Sequence, residues 1–316
     1  MQEMREATPE ERRQYYSEEW KKDDLPKFFL HTLSLREFAF DHSGKGPNDR
    51  YNCFITPEEL SDFLRKKAPY AVYGSVALYE RPSQRRKWLK SELAFDIDAK
   101  DLPIKRCDCT GGNVCEKCLD DARQVAKIIA ETLRSELALH DIHFVYSGRG
   151  FHIRVTDDSV MSMGQAERSQ IVEYVAGIVV PSDMTLTLGY SRVFRKRVAR
   201  IFEQLDEKKL ADAGFRGRLA RKLMREKEKV LDAIRRGHLE AIMEFDGIGR
   251  KTFRKFLDVV TRLNSELVDG KVTIDTKRIL RLPSSLHSTV SRKCMVIRDI
   301  DNFSYDVTVP QFLLES

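Results

Sequence analysis

No stretch of this sequence is long and apolar enough to cross a membrane, and its charged start, Met1-Gln2-Glu3-Met4-Arg5-Glu6, has no leader-like apolar core. Those absences point to a chain kept in a thiol-reducing compartment. No G-x-x-x-x-G-K-[ST] occurs, which excludes a P-loop nucleotide site. Internal repeats and low-complexity tracts are absent, so a solenoid and a disordered tail are excluded as well. Proline is missing from Val193 to Leu263, a segment with apolar residues at helical spacing (Leu219, Leu223, Val230, Ile234, Phe253, Phe256, Leu257, Val260). Cysteine is scarce: six in 316 residues, four of them within one short stretch.

What is present is a globular composition, 41% hydrophobic and 33% charged, long enough for one large domain or two smaller ones. The net charge is +6, and its placement is uneven. Between Arg192 and Arg262 there are 21 Lys/Arg against 11 Asp/Glu, whereas the remainder is slightly acidic. A basic segment of that kind is either a solvated helical face or a surface that meets a phosphate backbone.

Leu93-Ala94-Phe95-Asp96-Ile97-Asp98-Ala99 reads as a strand. Alternation puts Asp96 and Asp98 on one face, about 7 Å apart, and Phe95 and Ile97 on the other. Two carboxylates so placed repel each other, and a hard divalent cation such as Mg²⁺ or Mn²⁺ relieves the repulsion. A lone D-x-D is more often a solvated strand edge, so its neighbours decide the matter.

Cys107, Cys109, Cys115 and Cys118 follow in a C-x-C-x5-C-x2-C pattern, with Gly111-Gly112 as the turn between the halves. Four thiolates at that spacing can close a tetrahedral zinc site; two disulfides are the alternative, and a reducing compartment favours metal. Four ligands leave no open position, so such a zinc is structural. Cys53 and Cys294 stand alone and are expected to be buried.

Ser147-Gly148-Arg149-Gly150-Phe151-His152 lies between an apolar run and an alternating one, which predicts strand, turn, strand. A hydroxyl, a guanidinium and an imidazole around glycines suit a phosphate, although S-G-R-G also makes ordinary hairpin turns. Near the C-terminus, Asp275-Thr276-Lys277-Arg278-Ile279-Leu280-Arg281-Leu282-Pro283-Ser284-Ser285-Leu286-His287 mixes an acid, cations and a histidine around an apolar spine. By itself Asp275 is an N-cap for the turn that follows.

Taken together and in order, Arg36-Glu37-Phe38-Ala39-Phe40, F-D-I-D, the cysteine cluster, S-G-R-G-F-H and D-x-x-x-x-x-R-L-P-x-S-L-H resemble the catalytic small subunit of the archaeal and eukaryotic DNA primases, over residues 28–316. The resemblance implies that Asp96, Asp98 and Asp275 bind two catalytic Mg²⁺ or Mn²⁺ ions. It implies that Ser147, Arg149, His152, Arg281 and His287 grip the triphosphate, and that Cys107, Cys109, Cys115 and Cys118 hold zinc. Eukaryotic relatives place lysine where this chain has Arg281, and arginine keeps the charge. It also implies a heterodimer with a primase large subunit carrying an iron–sulfur cluster, a single-stranded DNA template, nucleoside triphosphate substrates and no membrane. The setting is then cytoplasmic beside the nucleoid, or nuclear in a eukaryote. Two other readings stand beside it: a repair or end-joining polymerase of the same superfamily, and a non-catalytic zinc module that binds nucleic acid.

The expected fold is α+β, the primase catalytic fold: a mostly antiparallel sheet with flanking helices, a zinc knuckle and a helical insertion. Residues 1–190 and 264–316 are assigned to the catalytic domain and 191–263 to a basic helical subdomain, in which Phe245-Asp246-Gly247-Ile248-Gly249-Arg250 resembles the G-x-G turn of a helix-hairpin-helix DNA-binding unit but reads more simply as a turn between two packed helices. Strands are expected at 36–40, 52–55, 71–79, 92–98, 142–147, 151–155 and 293–298. Helices are expected at 8–20, 26–33, 57–67, 119–138 and 164–180.

Overall fold

A computed structural model describes residues 4–215, 218–244 and 248–314. Its strands, in chain order, are β1 (Phe38–Asp41), β2 (Asp49–Asn52), β3 (Ala71–Ser75), β4 (Ala77–Arg81), β5 (Arg86–Ser91), β6 (Leu93–Asp98), β7 (Ile142–Tyr146), β8 (Gly150–Val155), β9 (Ile279–Arg281), β10 (Leu286–His287), β11 (Arg292–Lys293) and β12 (Met295–Ile297). They form two four-stranded sheets, ordered β2-β1-β3-β9 and β12-β7-β8-β6, and two ribbons, β4-β5 and β10-β11. Every pairing is antiparallel. The fold class is thus the expected mixed α+β, although its strands divide between two sheets. No helix among the described residues is long and apolar enough to cross a membrane.

Alternation explains the second sheet. Leu93, Phe95 and Ile97 are buried on one face of β6, while Asp96 and Asp98 are half-buried on the other. The apolar face rests on the helix Glu116–Leu137, whose Leu119, Ala122, Val125, Ala126, Ile129 and Leu133 recur at helical spacing. Behind that helix, Gly189–Gln204, Lys227–Arg236 and Arg250–Ser265 add Phe194, Phe202, Ile234 and Phe256 to the same core. The basic segment is therefore helical, and it shares its core with the sheet.

The first sheet has a separate, aromatic-rich core that includes Tyr16, Trp20, Phe29, Phe38, Phe40 and Phe54. Tyr15 Oη donates to the Ser284 carbonyl at 2.7 Å, and Trp20 Nε1 donates to Ser284 Oγ at 2.9 Å. The N-terminal segment is thereby pinned against the residues that lead into β10.

Several boundaries depart from expectation for identifiable reasons. The run 71–79 breaks at Val76, because its N–H bonds to the Arg278 carbonyl and its carbonyl accepts from Glu92 N–H, which carries the chain out of the first sheet. β5 was not foreseen: Arg86–Ser91 is mostly exposed and basic and gives no apolar signal. The 52–55 strand lies instead at Asp49–Asn52, and Cys53 is exposed, contrary to its expected burial. Cys294 is buried as expected. The 8–20 helix runs from Pro9 to Gln14 and then widens through Glu19, which turns Tyr15 and Tyr16 inward. Phe245, Asp246 and Gly247 of the expected interhelical turn lie outside the described residues.

One carboxylate joins the layers. Glu92, fully buried between β5 and β6, accepts from Arg36 Nη2 at 2.5 Å and from Arg154 Nε of β8 at 2.6 Å. Arg36 also donates to the Ser75 carbonyl at the end of β3. Arg168 from the helix Gln165–Ala176 donates to the backbone carbonyls of Ser91 (2.6 Å) and Glu92 (2.8 Å). Burial resists the charge on Glu92, yet the Arg154 and Arg36 guanidiniums hold its carboxyl below the usual range. Glu92→Gln keeps the shape and leaves two buried guanidiniums without their counter-charge, so it is expected to cost about 3–5 kcal/mol in denaturant unfolding. A loss under about 1 kcal/mol would contradict this account.

Candidate active site

The β6–β8 register sets Asp96 opposite His152 and Asp98 opposite Gly150. Directly opposed residues share a face, so the acid pair and the imidazole look the same way. His152 Nε2 lies 3.5 Å from Asp96 Oδ1. Arg149, in the turn between β7 and β8, donates from Nη2 to Asp98 Oδ2 at 2.9 Å. The turn is closed by Ser147 N–H donating to the Gly150 carbonyl, and by Tyr146 Oη donating to the Gly148 carbonyl.

Gly148 has φ +102°, and a Cβ there would stand 2.5 Å from the Cβ of His287. Glycine is needed for the backbone conformation and for this close approach. The contact brings β10 against the turn. Arg281, at the end of β9, pairs across β3 with Tyr73 and lays its guanidinium over that ring at 5.4 Å. Its charge reaches both histidines. Arg149, His152, Arg281 and His287 thus converge where the two sheets meet.

The electrostatics divide the site in two. On the acid side, burial, then the charges of Asp98 and Asp269, push the Asp96 carboxyl up to about 7, with Arg278 and Arg149 pulling the other way. On the basic side, burial drives His152 down to about 3, with Arg154 and Arg281 adding to the effect. Burial likewise drives His287 well below its ordinary value, followed by Arg281 and Arg149. Both histidines are neutral hydrogen-bonding groups. Four buried atoms in this array have no hydrogen-bond partner: Arg149 Nε, His152 Nδ1, Arg281 Nη1 and His287 Nδ1. A buried polar atom left unpaired costs about 1–3 kcal/mol. Four in one place describe a surface left open for a polar ligand, with the two guanidiniums suited to acceptor oxygens.

The acid beside Asp96 that sequence reasoning missed is Asp269. Its N–H donates to the Asp96 carbonyl at 3.1 Å, and its carboxylate caps the helix Gly270–Ile274 through Lys271 N–H at 3.0 Å. Asp275 closes the far end of that helix, and its carboxylate accepts from Lys277 N–H at 2.9 Å. It thereby caps the turn that follows, as expected, and the chain then enters strand β9. Its charge bears on Tyr79, in the β4-β5 ribbon. It is not among the main charges acting on Asp96. Both acids precede R-L-P-x-S-L-H, and no local signal separates them; the backbone contact with β6 does.

Cys107, Cys109, Cys115 and Cys118 bring their ligand atoms within 4.8 Å of one another. A tetrahedral zinc–thiolate site has sulfurs about 3.8 Å apart, so the donor set fits zinc. Burial pushes the Cys118 thiol up to about 12. The cluster leads into the helix Glu116–Leu137, and Lys105 Nζ ties it to the end of β6 by donating to the Lys100 and Cys109 carbonyls. No trio of carboxylates among the described residues is drawn together to the same degree. Asp98 is instead turned toward Arg149.

Comparison with known proteins gives the family. The family model described as DNA primase small subunit matches residues 95–300. The chain is 42% identical to the DNA primase small subunit PriS of Methanobrevibacter smithii, over 98% of each chain. It is 40% identical to the PriS of Pyrococcus horikoshii, over 99% of this chain and 95% of that one. The PriS of Methanothermobacter thermautotrophicus is also 40% identical, over 98% of this chain and 97% of its own. With similarity of that depth running almost from end to end, and with the matched region spanning the acid pair, the cysteine cluster and the cationic array, the chain belongs to the DNA primase small-subunit family.

Proposed function

We propose that this chain synthesises primers by template-directed nucleotidyl transfer, with Asp96, Asp98 and Asp269 as the acids and Arg149, His152, Arg281 and His287 as the triphosphate grip. The observation that carries this reading is the set of four unpartnered buried nitrogens, two from arginines and two from histidines, with His152 set opposite Asp96. Divalent Mg²⁺ or Mn²⁺ held by the acids would supply the positive charge that favours a 3′-hydroxyl nucleophile and a pyrophosphate leaving group. The residues themselves bind and orient. Neutral His152 and His287 donate hydrogen bonds without changing charge, while Arg149 and Arg281 offset the triphosphate's charge. Ser147 N–H holds the turn that presents Arg149.

The cysteine cluster supports a structural zinc that anchors the connection from β6 to the long helix. The relatives' name, small subunit, supports a heterodimer with a large subunit. Single-stranded DNA as template and ribo- or deoxynucleoside triphosphates as substrates complete the proposal. Setting the acids and the triphosphate grip together favours catalysis over a purely binding zinc module.

Three outcomes follow. Asp269→Asn should lower metal-dependent incorporation at least about a hundredfold, while Asp275→Asn stays within about threefold of wild type, as expected for a half-buried turn cap; template-directed extension assays with each variant read the difference. The reverse ranking restores Asp275 as the third acid.

Asp96 also predicts a pH dependence of stability. Its folded pKa is raised to about 7, above the ordinary value of about 3.9. The folded state then holds a proton that the unfolded state has released, so stability falls as pH climbs between those values. Asp96→Asn should therefore raise the metal-free melting temperature at pH 8 and leave it unchanged at pH 4. A shift of equal size at both pH values argues against the raised pKa.

Cys115→Ser should lower both zinc content and melting temperature. Full zinc retention by metal analysis removes Cys115 from the ligand set.

A further inference from the structure

The loop 179–188 carries four large aliphatic side chains that stand exposed: Val179, Val180, Leu186 and Leu188, the last at 72%. They are held there by a fixed backbone. Tyr190 Oη accepts from Val179 N–H at 2.8 Å and donates to the Val179 carbonyl at 2.6 Å. Ser191 Oγ donates to the Asp183 carbonyl at 2.6 Å, and Arg195 Nη2 donates to the Leu186 carbonyl at 3.0 Å. An apolar loop pinned open in this way loses little conformational freedom when it is covered.

Beside the loop, reached through Thr187, lies a recess of about 470 Å³ whose lining includes Arg192, Arg195, Lys196, Arg200 and Arg235, with Glu203 as the one acid. Arg195 is itself buried, and the Nε atoms of Arg192 and Arg195 have no hydrogen-bond partner. The patch is thus aliphatic at its rim and basic at its floor, where Arg192, Lys196 and Arg235 pair with Glu136, Glu131 and Glu203 and leave Arg195 and Arg200 without an acidic partner among the described residues.

Its place in the fold bears on what covers it. The helix Gly189–Gln204 rests on the helix Glu116–Leu137, with Arg197 donating to Thr132 Oγ1 at 2.6 Å and Arg200 donating to the Gln124 carbonyl at 3.4 Å. The Glu116–Leu137 helix covers the Phe95 and Ile97 face of β6, opposite Asp96 and Asp98. An occupant of the patch therefore leaves the active site open. Single-stranded nucleic acid is bound by stacking bases on aromatic rings, and the exposed side chains here are aliphatic. Apolar side chains together with arginine are the chemistry of a protein interface.

We propose that the loop 179–188 and the basic recess beside it form the docking surface for the companion large subunit, which presents an apolar ridge flanked by aspartate or glutamate. This rests on the heterodimer reading above. The test uses the full-length chain and its large subunit, co-expressed and then titrated as purified proteins. Leu188→Asp and Lys196→Glu alter exposed positions outside the active site. Each should weaken the complex at least tenfold while leaving the melting temperature and the metal-dependent extension of the isolated chain unchanged. If Leu188→Asp lowers the melting temperature, Leu186→Asp reads the same surface. Failure of the wild-type chain to bind the large subunit overturns the heterodimer reading, and this surface with it. Wild-type binding combined with undiminished binding by both variants overturns the surface alone. Variants that lose affinity for single-stranded DNA but keep the large subunit assign the patch to nucleic acid and overturn the proposal.

Discussion

A single buried carboxylate sets the relation between the two sheets. Glu92 accepts from Arg36, which also holds the end of β3, and from Arg154 on β8. That clasp acts with the Val76 crossing and the Gly148–His287 contact to fix β9 and β10 relative to β6 and β8. Asp96 and Asp98 come from one sheet, while Arg281 and His287 come from the other sheet and its adjoining ribbon. A buried ion pair is a poor source of net stability, but it demands its geometry, because misplacing either partner leaves a charge stranded. Register is what a site divided between two sheets requires.

The same logic governs the site. Asp96 is placed in a site that withholds water from it and beside the charges of Asp98 and Asp269, which pushes its carboxyl up to about 7. Four nitrogens are placed where they find no partner in the protein. Both arrangements oppose the stability of the empty protein. Stability is supplied elsewhere, by the long helix under β6 and by the aromatic core under the first sheet.

Much of this was legible in the residues. The alternation in Leu93–Asp98 separated the acids from the apolar face, and the glycines around Arg149 marked the turn that presents it. The cysteine spacing marked the thiolate cluster. What remained hidden depended on contacts between distant segments. Val76 looks like the middle of one strand, and only its bonds to Arg278 and Glu92 make it a crossing point. Asp269 and Asp275 look alike before the same stretch, and only the N–H of Asp269 on the Asp96 carbonyl distinguishes them. Gly148 reads as an ordinary turn glycine until His287 is seen against it.

The Arg149–Asp98 pair ties the two halves of the site together thermodynamically. On the proposed assignment, an ion on Asp98 would displace the guanidinium and free it for phosphate, and a phosphate on Arg149 would uncover the carboxylate for an ion. Each ligand would then raise the affinity for the other by the same factor. Metal and nucleotide would bind most favourably as a couple, since either one alone would meet a resting state in which protein has already answered protein.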